Sequence, residues 1–231
     1  MAQRRFDVVF LDAGGVLVHP RSERIVESLT AAGFAVHADL LLEAHYHGMR
    51  ATDLNRAAPE EFSHYQLAYA AHLGLSGEEQ ARCVELLAEL YAPGVALWDE
   101  PLPWARTGLE AIAATGVPIV VVSNADGTVA DLLARAGLLQ VGPGAGVEVA
   151  GIIDSGAVGV AKPDPKIFEL ALEVVGVDPS RAVHVGDAYE YDVRGARAAG
   201  VHPVLVDPFG LAGDADCDRI ASLVELTDLL A

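Results

Sequence analysis

The sequence predicts an α/β protein, a doubly wound, Rossmann-like parallel sheet core with an inserted α-helical cap domain. A short apolar strand near the start, residues 6–11, ends at Asp12 and is typical of a buried parallel strand. From about Pro20 to Pro101, every periodic segment is helical. After Pro101, helices alternate with apolar strands, which is the pattern of a parallel sheet with right-handed crossovers. The predicted core comprises residues 1–17 and 101–231, and the predicted cap comprises residues 18–100.

Local start and stop signals predict four helices in the cap. Ser22 and Asp39 are predicted to cap the first two, while Gly33 and Gly74 are predicted to end the first and the third. No strand pattern interrupts this run, so we expect the cap to be entirely helical. The predicted helices cover residues 23–32, 40–50, 59–73 and 76–91.

The same signals predict alternating elements in the core. Asp164 is predicted to cap a helix that has Pro165 at its first position and Gly176 after its last turn. Apolar strands are predicted at residues 117–122, 147–153, 182–185 and 203–206. The other predicted helices cover residues 104–114, 127–136, 192–199 and 222–230.

Charge and composition restrict what this chain binds. The formal net charge is −18, which opposes non-specific binding to nucleic acid or to an anionic membrane. Cys83 and Cys217 lack the spacing of a disulfide framework or a metal site. Neither a signal peptide nor an apolar run of transmembrane length is recognisable. We therefore expect a cytoplasmic protein that acts on a small molecule. A homodimer formed through apolar cap residues is left open.

Polar residues follow three of the predicted core strands. They are Asp12, the pair Ser123 and Asn124, and Asp187, and Lys162 lies in the loop before a core helix. Because parallel strands place their carboxyl ends at one edge of the sheet, we expect these side chains to lie close together. Phosphoryl transfer requires such a set: a carboxylate nucleophile, oxygen ligands for Mg²⁺, and a lysine and a hydroxyl that orient phosphoryl oxygens.

These residues resemble, in order, the four motifs of the haloacid dehalogenase (HAD) superfamily. Asp12 matches the first motif, Ser123 the second and Lys162 the third, while Gly186-Asp187-Ala188-Tyr189-Glu190-Tyr191-Asp192 matches the fourth. The resemblance implies that Asp12 is the nucleophile and that Mg²⁺ is held by Asp12, the Gly14 carbonyl and Asp187, with Asp192 acting indirectly. It also implies that Ser123 and Lys162 hold the phosphoryl group. Asn124 and the flexible backbone at Gly15 are predicted to lie against the substrate.

Gly14 departs from the family pattern. Phosphatases of this family usually carry a second aspartate two residues after the nucleophile, which protonates the leaving group and then activates water. A glycine offers only its backbone to a metal and moves no proton. General acid–base help is worth roughly 10²–10⁴ in rate, or about 2.7–5.4 kcal/mol of barrier.

Three interpretations of this departure remain open. The first is a Mg²⁺-dependent phosphatase of a small phosphorylated metabolite, with proton transfer impaired or moved to another residue. The candidates for that residue are His19, His45, His47, Arg50 and Asp126. The second is a dehalogenase-like hydrolase, because halide leaves without a proton; a phosphonatase would need a cap lysine, and residues 20–98 contain none. The third is a weakly active or inactive phosphate-binding protein on this fold.

Overall fold

The computed structural model describes residues 4–55, 63–92, 95, 97–213 and 215–230. The chain divides into two compact units: an α/β unit of residues 1–18 and 101–231, and a helical unit of residues 19–100. Among the described residues, none of the helices has the length and hydrophobicity that a membrane span requires.

The strands largely alternate with helices along the α/β unit, as the sequence predicts, but in the part of the chain that the structure describes the fifth to seventh strands follow one another without a helix, as do the ninth and tenth. In chain order they are β1 (Val8–Leu11), β2 (Val18–His19), β3 (Glu100–Pro101), β4 (Ile119–Ser123), β5 (Leu139–Val141), β6 (Val147–Val149), β7 (Gly151–Asp154), β8 (Ala182–Gly186), β9 (His202–Val206) and β10 (Asp218–Ile220).

The helices also run in chain order through both units. They are α1 (Ser22–Ala31), α2 (Leu41–Leu54), α3 (Ser63–His72), α4 (Gly77–Leu90), α5 (Ala105–Ala114), α6 (Val129–Arg135), α7 (Ser155–Val158), α8 (Pro165–Val175), α9 (Arg194–Ala198) and α10 (Leu226–Leu230). The predicted start of the third helix, at Pro59, lies outside the described residues.

Within the described residues, six strands form one parallel sheet in the order β10-β9-β8-β1-β4-β7. The chain moves outward from β1 through β4 to β7, then crosses to the other side of β1 and continues through β8, β9 and β10. The sheet is therefore doubly wound, and its strand order reverses beside β1. The predicted fold class is confirmed.

The core of the α/β unit follows the period-2 pattern of its strands. Val8 and Phe10 of β1 and Val120 and Val122 of β4 share one buried face, which packs against Ile167, Phe168 and Ala171 of α8. Each large apolar side chain buried in this way contributes roughly 1.5–3 kcal/mol. The helical unit has its own core, which includes Ile25, Leu29, Leu41, Tyr65, Tyr69 and Leu87.

Several element boundaries differ from the sequence predictions. Residues 147–153 were predicted as one strand, but β6 pairs with β5 in a separate two-stranded sheet, and β7 joins the central sheet. The first cap helix begins at Ser22 itself, whose N–H donates to Glu100 Oε2 at 2.6 Å, so the predicted capping by Ser22 was wrong. Asp39 lies inside a 3₁₀ turn, Ala38–Leu40, which precedes α2.

Candidate active site

Asp12 lies at the point where the strand order of the sheet reverses. It follows β1 directly, and its N–H donates to the carbonyl oxygen of Val185 in β8 at 2.9 Å. Its carboxylate Oδ1 accepts a hydrogen bond from the N–H of Ala13 at 2.7 Å. Ligands of open α/β sheets bind beyond the carboxyl ends of the strands at such a switch point. The backbone therefore presents the Asp12 carboxylate at the edge where a ligand is expected.

Lys162 is buried between two carboxylates. Its Nζ atom lies 2.8 Å from Oδ2 of Asp12 and 2.7 Å from Oδ1 of Asp192. Burial alone would lower the pKa of Lys162, but the two carboxylates outweigh burial and raise this pKa. Lys162 is therefore positively charged, and it neutralises part of the negative charge at this edge of the sheet.

The carboxylate of Asp187 lies against the backbone of Gly15. Gly15 has φ +66°, and a Cβ atom at this position would lie 2.0 Å from Asp187 Oδ2. Glycine is therefore required both by the left-handed backbone and by the close approach of Asp187. Burial raises the pKa of Asp187 well above its ordinary value, and repulsion from Asp192 and Asp12 adds to this rise.

Asp192 enters the cluster from a turn that the sequence did not reveal. The predicted helix from residue 192 begins earlier, as a π-helical turn over Tyr189–Val193, followed by α9. Asp192 Oδ2 accepts from the N–H of Ala188 at 3.0 Å, and its Oδ1 lies against Lys162. A Cβ atom on Gly186 would lie 2.0 Å from Asp192 Cγ, so this glycine also leaves room for a carboxylate.

The three aspartates form one oxygen-rich cluster. One carboxylate oxygen from each of Asp12, Asp187 and Asp192 lies within 4.8 Å of the others. A set of hard carboxylate oxygens suits Mg²⁺, which prefers oxygen ligands and is commonly bound through one or two carboxylates. The donor chemistry therefore fits the magnesium that the sequence predicts.

His184 is a site residue that the sequence analysis missed. It is fully buried in β8, and its Nε2 lies 2.9 Å from Oδ1 of Asp192. Its ring contacts Phe168 edge-on, at a centroid distance of 4.8 Å. Burial would raise the pKa of Asp192, but Lys162 and His184 outweigh burial and lower this pKa below its usual range. The sequence feature that could have revealed this residue is a histidine inside an otherwise apolar strand, three residues before Asp187.

Ser123 and Asn124 stand at the end of the neighbouring strand. Ser123 is the last residue of β4 and is buried. The amide group of Asn124 binds the backbone of Lys162 twice: Nδ2 donates to the Lys162 carbonyl at 2.9 Å, and Oδ1 accepts from the Lys162 N–H at 2.8 Å. Asn124 therefore joins the end of β4 to the loop that carries Lys162. Its predicted contact with substrate stays a prediction.

Two of the candidates for a relocated proton donor have other hydrogen-bond partners. Asp126 Oδ1 accepts from the Thr128 hydroxyl at 2.5 Å, and this bond lowers the pKa of Asp126 and keeps it ionised. His45 is buried in the helical unit, where Nδ1 lies 3.0 Å from the Tyr65 hydroxyl. These contacts favour structural roles for both residues.

Fold and site together define a hydrolase of the doubly wound α/β class. The model of the haloacid dehalogenase-like hydrolase family matches residues 6–200, and the chain belongs to this family. The family resemblance predicted from the four motifs is thereby confirmed.

Relatives of known name match parts of the chain. It is 34% identical over 137 residues to haloacid dehalogenase-like hydrolase domain-containing protein 3 of Bos taurus, covering 57% of this chain and 50% of that protein. It is 49% identical over 67 residues to a phosphoserine phosphatase of Thermus thermophilus, covering 29% of this chain and 27% of that enzyme. The chain thus spans about half, or less, of the length of these relatives.

Solved structures match nearly the whole chain. A HAD phosphatase from Thermococcus onnurineus has a TM-score of 0.59 and 23% identity, covering 98% of both chains, and this likeness shows the fold alone. A 2-haloacid dehalogenase from Pseudomonas syringae has a TM-score of 0.55 and 25% identity, covering 97% of this chain and 98% of that chain.

Proposed function

We propose that this protein is a Mg²⁺-dependent phosphatase that hydrolyses a small phosphorylated metabolite through an aspartyl-phosphate on Asp12. The observation that carries the proposal is the placement of Asp12, paired with Lys162 and within one cluster with Asp187 and Asp192. A nucleophilic carboxylate, a buried cation and a carboxylate metal site are the groups that phosphoryl transfer requires. The phosphoserine phosphatase among the relatives supports the same chemistry.

Asp12 and Asp187 would hold the magnesium ion, together with the carbonyl oxygen of Gly14. Asp192 would act indirectly, without binding the ion itself, because its oxygens already accept hydrogen bonds from Lys162, His184 and the Ala188 N–H. When bound, Mg²⁺ offsets the repulsion between the Asp12 carboxylate and an anionic phosphate. Asp192 would in turn hold Lys162 in position.

The reaction proceeds in two displacements on phosphorus. A carboxylate oxygen of Asp12 forms a bond to phosphorus as the bond to the leaving oxygen breaks, and the leaving group takes a proton from solvent. Water then attacks phosphorus, the bond to Asp12 breaks, and inorganic phosphate and a free carboxylate result. Lys162 and Ser123 orient the phosphoryl oxygens in both displacements. Because Gly14 supplies no proton, leaving groups that need none, such as aryl or acyl phosphates, react fastest.

The helical unit serves as the cap that selects the substrate and excludes water during the reaction. Loop or domain closure has this role in many hydrolytic enzymes. The net charge of −18 favours a small metabolite over a polyanionic nucleic acid. A cytoplasmic location and a homodimer stay predictions.

A dehalogenase is the second candidate function. Gly14 favours it, because a halide leaves without a proton, and the 2-haloacid dehalogenase structure has the same fold. The acidic cluster opposes it, because displacement of halide by Asp12 needs no metal site. Burial and repulsion from Asp192 and Asp12 raise the pKa of Asp187 despite the nearby Lys162, and a metal ion would offset this repulsion.

The proposed phosphatase activity is tested by measuring phosphate release from p-nitrophenyl phosphate, once with Mg²⁺ and once with EDTA. We expect metal-dependent turnover in the natural chain, and its loss in Asp12→Asn and Asp187→Asn. Asp178→Asn is the matched control, because Asp178 is an exposed aspartate that caps a surface turn at Ser180. Chloride release from 2-chloropropionate, without phosphate release, would establish the dehalogenase instead. Phosphate binding without turnover of either substrate would indicate a binding protein.

A further inference from the structure

A second group of metal-ligating side chains lies in the helical unit, away from the aspartate cluster in sequence. It consists of Glu43 and His47 of α2 and His72, the last residue of α3, and we call it the Glu-His-His cluster. One ligand atom of each residue lies within 4.8 Å of the others. Glu43 Oε1 lies 3.8 Å from Nε2 of His47, and Glu43 Oε2 lies 3.8 Å from Nε2 of His72.

The geometry of two packed helices brings these residues together. Glu43 and His47 are four residues apart on α2 and therefore share one face of that helix. α3 packs against α2 and adds His72, whose ring stacks on that of His47 at a centroid distance of 4.4 Å. The cluster is therefore formed by regular helices rather than by loops.

The Nε2 atoms of both histidines lie beyond hydrogen-bond distance of Glu43. Both 3.8 Å separations exceed the length of a hydrogen bond. Nε2 of His72 is buried, with no hydrogen-bond partner among the residues that the structure describes. A buried polar atom without a partner is costly and calls for an explanation, of which an ion is one.

We propose that Glu43, His47 and His72 bind a zinc ion that ties α2 to α3. Two imidazoles and one carboxylate are a ligand set that suits Zn²⁺ and not Mg²⁺. Zinc bonds of about 2.0–2.2 Å place neighbouring tetrahedral ligands about 3.3–3.5 Å apart. The observed 3.8 Å separations run from different oxygens of Glu43 and exceed this value by about 0.3–0.5 Å, so side-chain rotation is needed to bring the three ligands onto one ion. The side chains of Glu43 and His47 are each 37% exposed, so water can reach the fourth position.

The test is a calorimetric zinc titration of the full chain after chelation. Because the aspartate cluster also attracts cations, each titration is repeated in Asp187→Asn. We expect one zinc site that persists in Asp187→Asn and is weakened in His47→Ala and in His72→Ala. The loss of an outer-shell partner alone costs about 10–100-fold in metal affinity, so the loss of a ligand should cost at least about 100-fold. His37→Ala is the control, because His37 is an exposed histidine outside the cluster.

Thermal unfolding provides an independent readout. In the Asp187→Asn background, which weakens the aspartate cluster, zinc should raise the melting temperature of the otherwise natural chain and of His37→Ala, because a ligand that binds only the folded state stabilises it. In the same background, zinc should leave His72→Ala unshifted. Glu43→Gln and His72→Gln nearly preserve side-chain volume, so a loss of binding in them cannot be ascribed to a packing defect. Three outcomes would overturn the proposal. The natural chain does not bind zinc, both histidine variants bind it as tightly as the natural chain, or Asp187→Asn loses zinc binding. Neither readout depends on phosphatase activity.

Discussion

Lys162 donates a hydrogen bond from Nζ to Oδ2 of Asp12 across 2.8 Å, although the two residues are 150 positions apart in the chain. The lysine side chain is 1% exposed, so this ion pair is almost entirely removed from water. Breaking a buried ion pair by removing one partner costs about 3–5 kcal/mol, because an uncompensated charge stays buried. Lys162 therefore stabilises the fold as well as positioning the proposed nucleophile.

The first prediction concerns Lys162→Met. Removal of the ammonium group leaves Asp12 and Asp192 facing each other, so the free energy of unfolding should fall by about 3–5 kcal/mol and turnover should be lost. Lys166→Met is the control, because the 3.1 Å pair of Lys166 with Glu169 is exposed and screened by water, so its loss should change stability little. Urea unfolding measures both variants. Equal urea midpoints for Lys162→Met and the natural chain would contradict the buried ion pair.

The second prediction concerns Gly15→Ala. The new Cβ atom would lie 2.0 Å from Asp187 Oδ2, so Asp187 must move and the Mg²⁺ concentration needed for half-maximal activity should rise. Gly127→Ala is matched to it, because Gly127 also has positive φ, at +93°, but a Cβ atom there would meet no described atom within 4 Å. Both variants incur backbone strain, and only Gly15→Ala should lose metal affinity. A similar loss in both would mean that strain, rather than the contact with Asp187, is responsible.

The third prediction concerns the pH dependence of stability. Burial and the neighbouring aspartates raise the pKa of Asp187 in the folded chain above its value in the unfolded chain, which is about 3.9. The contribution of this group to stability is therefore fully present below the unfolded pKa and is lost as the pH rises through the folded pKa. In EDTA, the melting temperature of the natural chain should fall relative to that of Asp187→Asn as the pH rises. Mg²⁺ should remove this loss, and a difference that is independent of pH would argue against the raised pKa.

The fourth prediction concerns His184, which we expect to position Asp192. His184→Leu removes the contact with Asp192 Oδ1. It should lower kcat by about 10–100-fold, or raise the Mg²⁺ concentration needed for half-maximal activity by the same factor. His184→Gln keeps an N–H donor and should restore most of the loss. Steady-state kinetics with p-nitrophenyl phosphate separate kcat from KM in both variants. Equal losses in both would indicate a packing defect beside Phe168 rather than a positioning role.

The fifth prediction concerns Gly14→Asp. A carboxyl group at position 14 restores a proton donor, so hydrolysis of alkyl phosphates should accelerate, by up to about 10²–10⁴-fold. Hydrolysis of p-nitrophenyl phosphate should gain less, because nitrophenolate leaves without a proton and only the activation of water can benefit. The ratio of the two rates is the measurement. An equal change for both substrates would show that protonation of the leaving group does not limit turnover.

Much of the candidate site could be predicted from local patterns. Asp12, Ser123 and Asp187 each follow or end an apolar strand, and parallel strands bring their carboxyl ends to one edge of the sheet. The prediction of the helix at 165–175 also succeeded, because Asp164, Pro165 and Gly176 act within a few residues of one another. Boundaries set by distant partners were predicted less well, such as the start of α1, where residue 22 donates to residue 100.

The sequence alone determined the fold class and the residues at the strand ends, because apolar periodicity and glycine or proline signals act over short distances. Only the tertiary structure decided the contacts beyond these strand ends. His184 reaches Asp192 through a π-helical turn. The amide of Asn124 binds the backbone of Lys162, 38 residues further on. His72 joins Glu43 because α3 packs on α2. Each of these contacts depends on backbone geometry and packing between separate elements, which local sequence patterns do not encode.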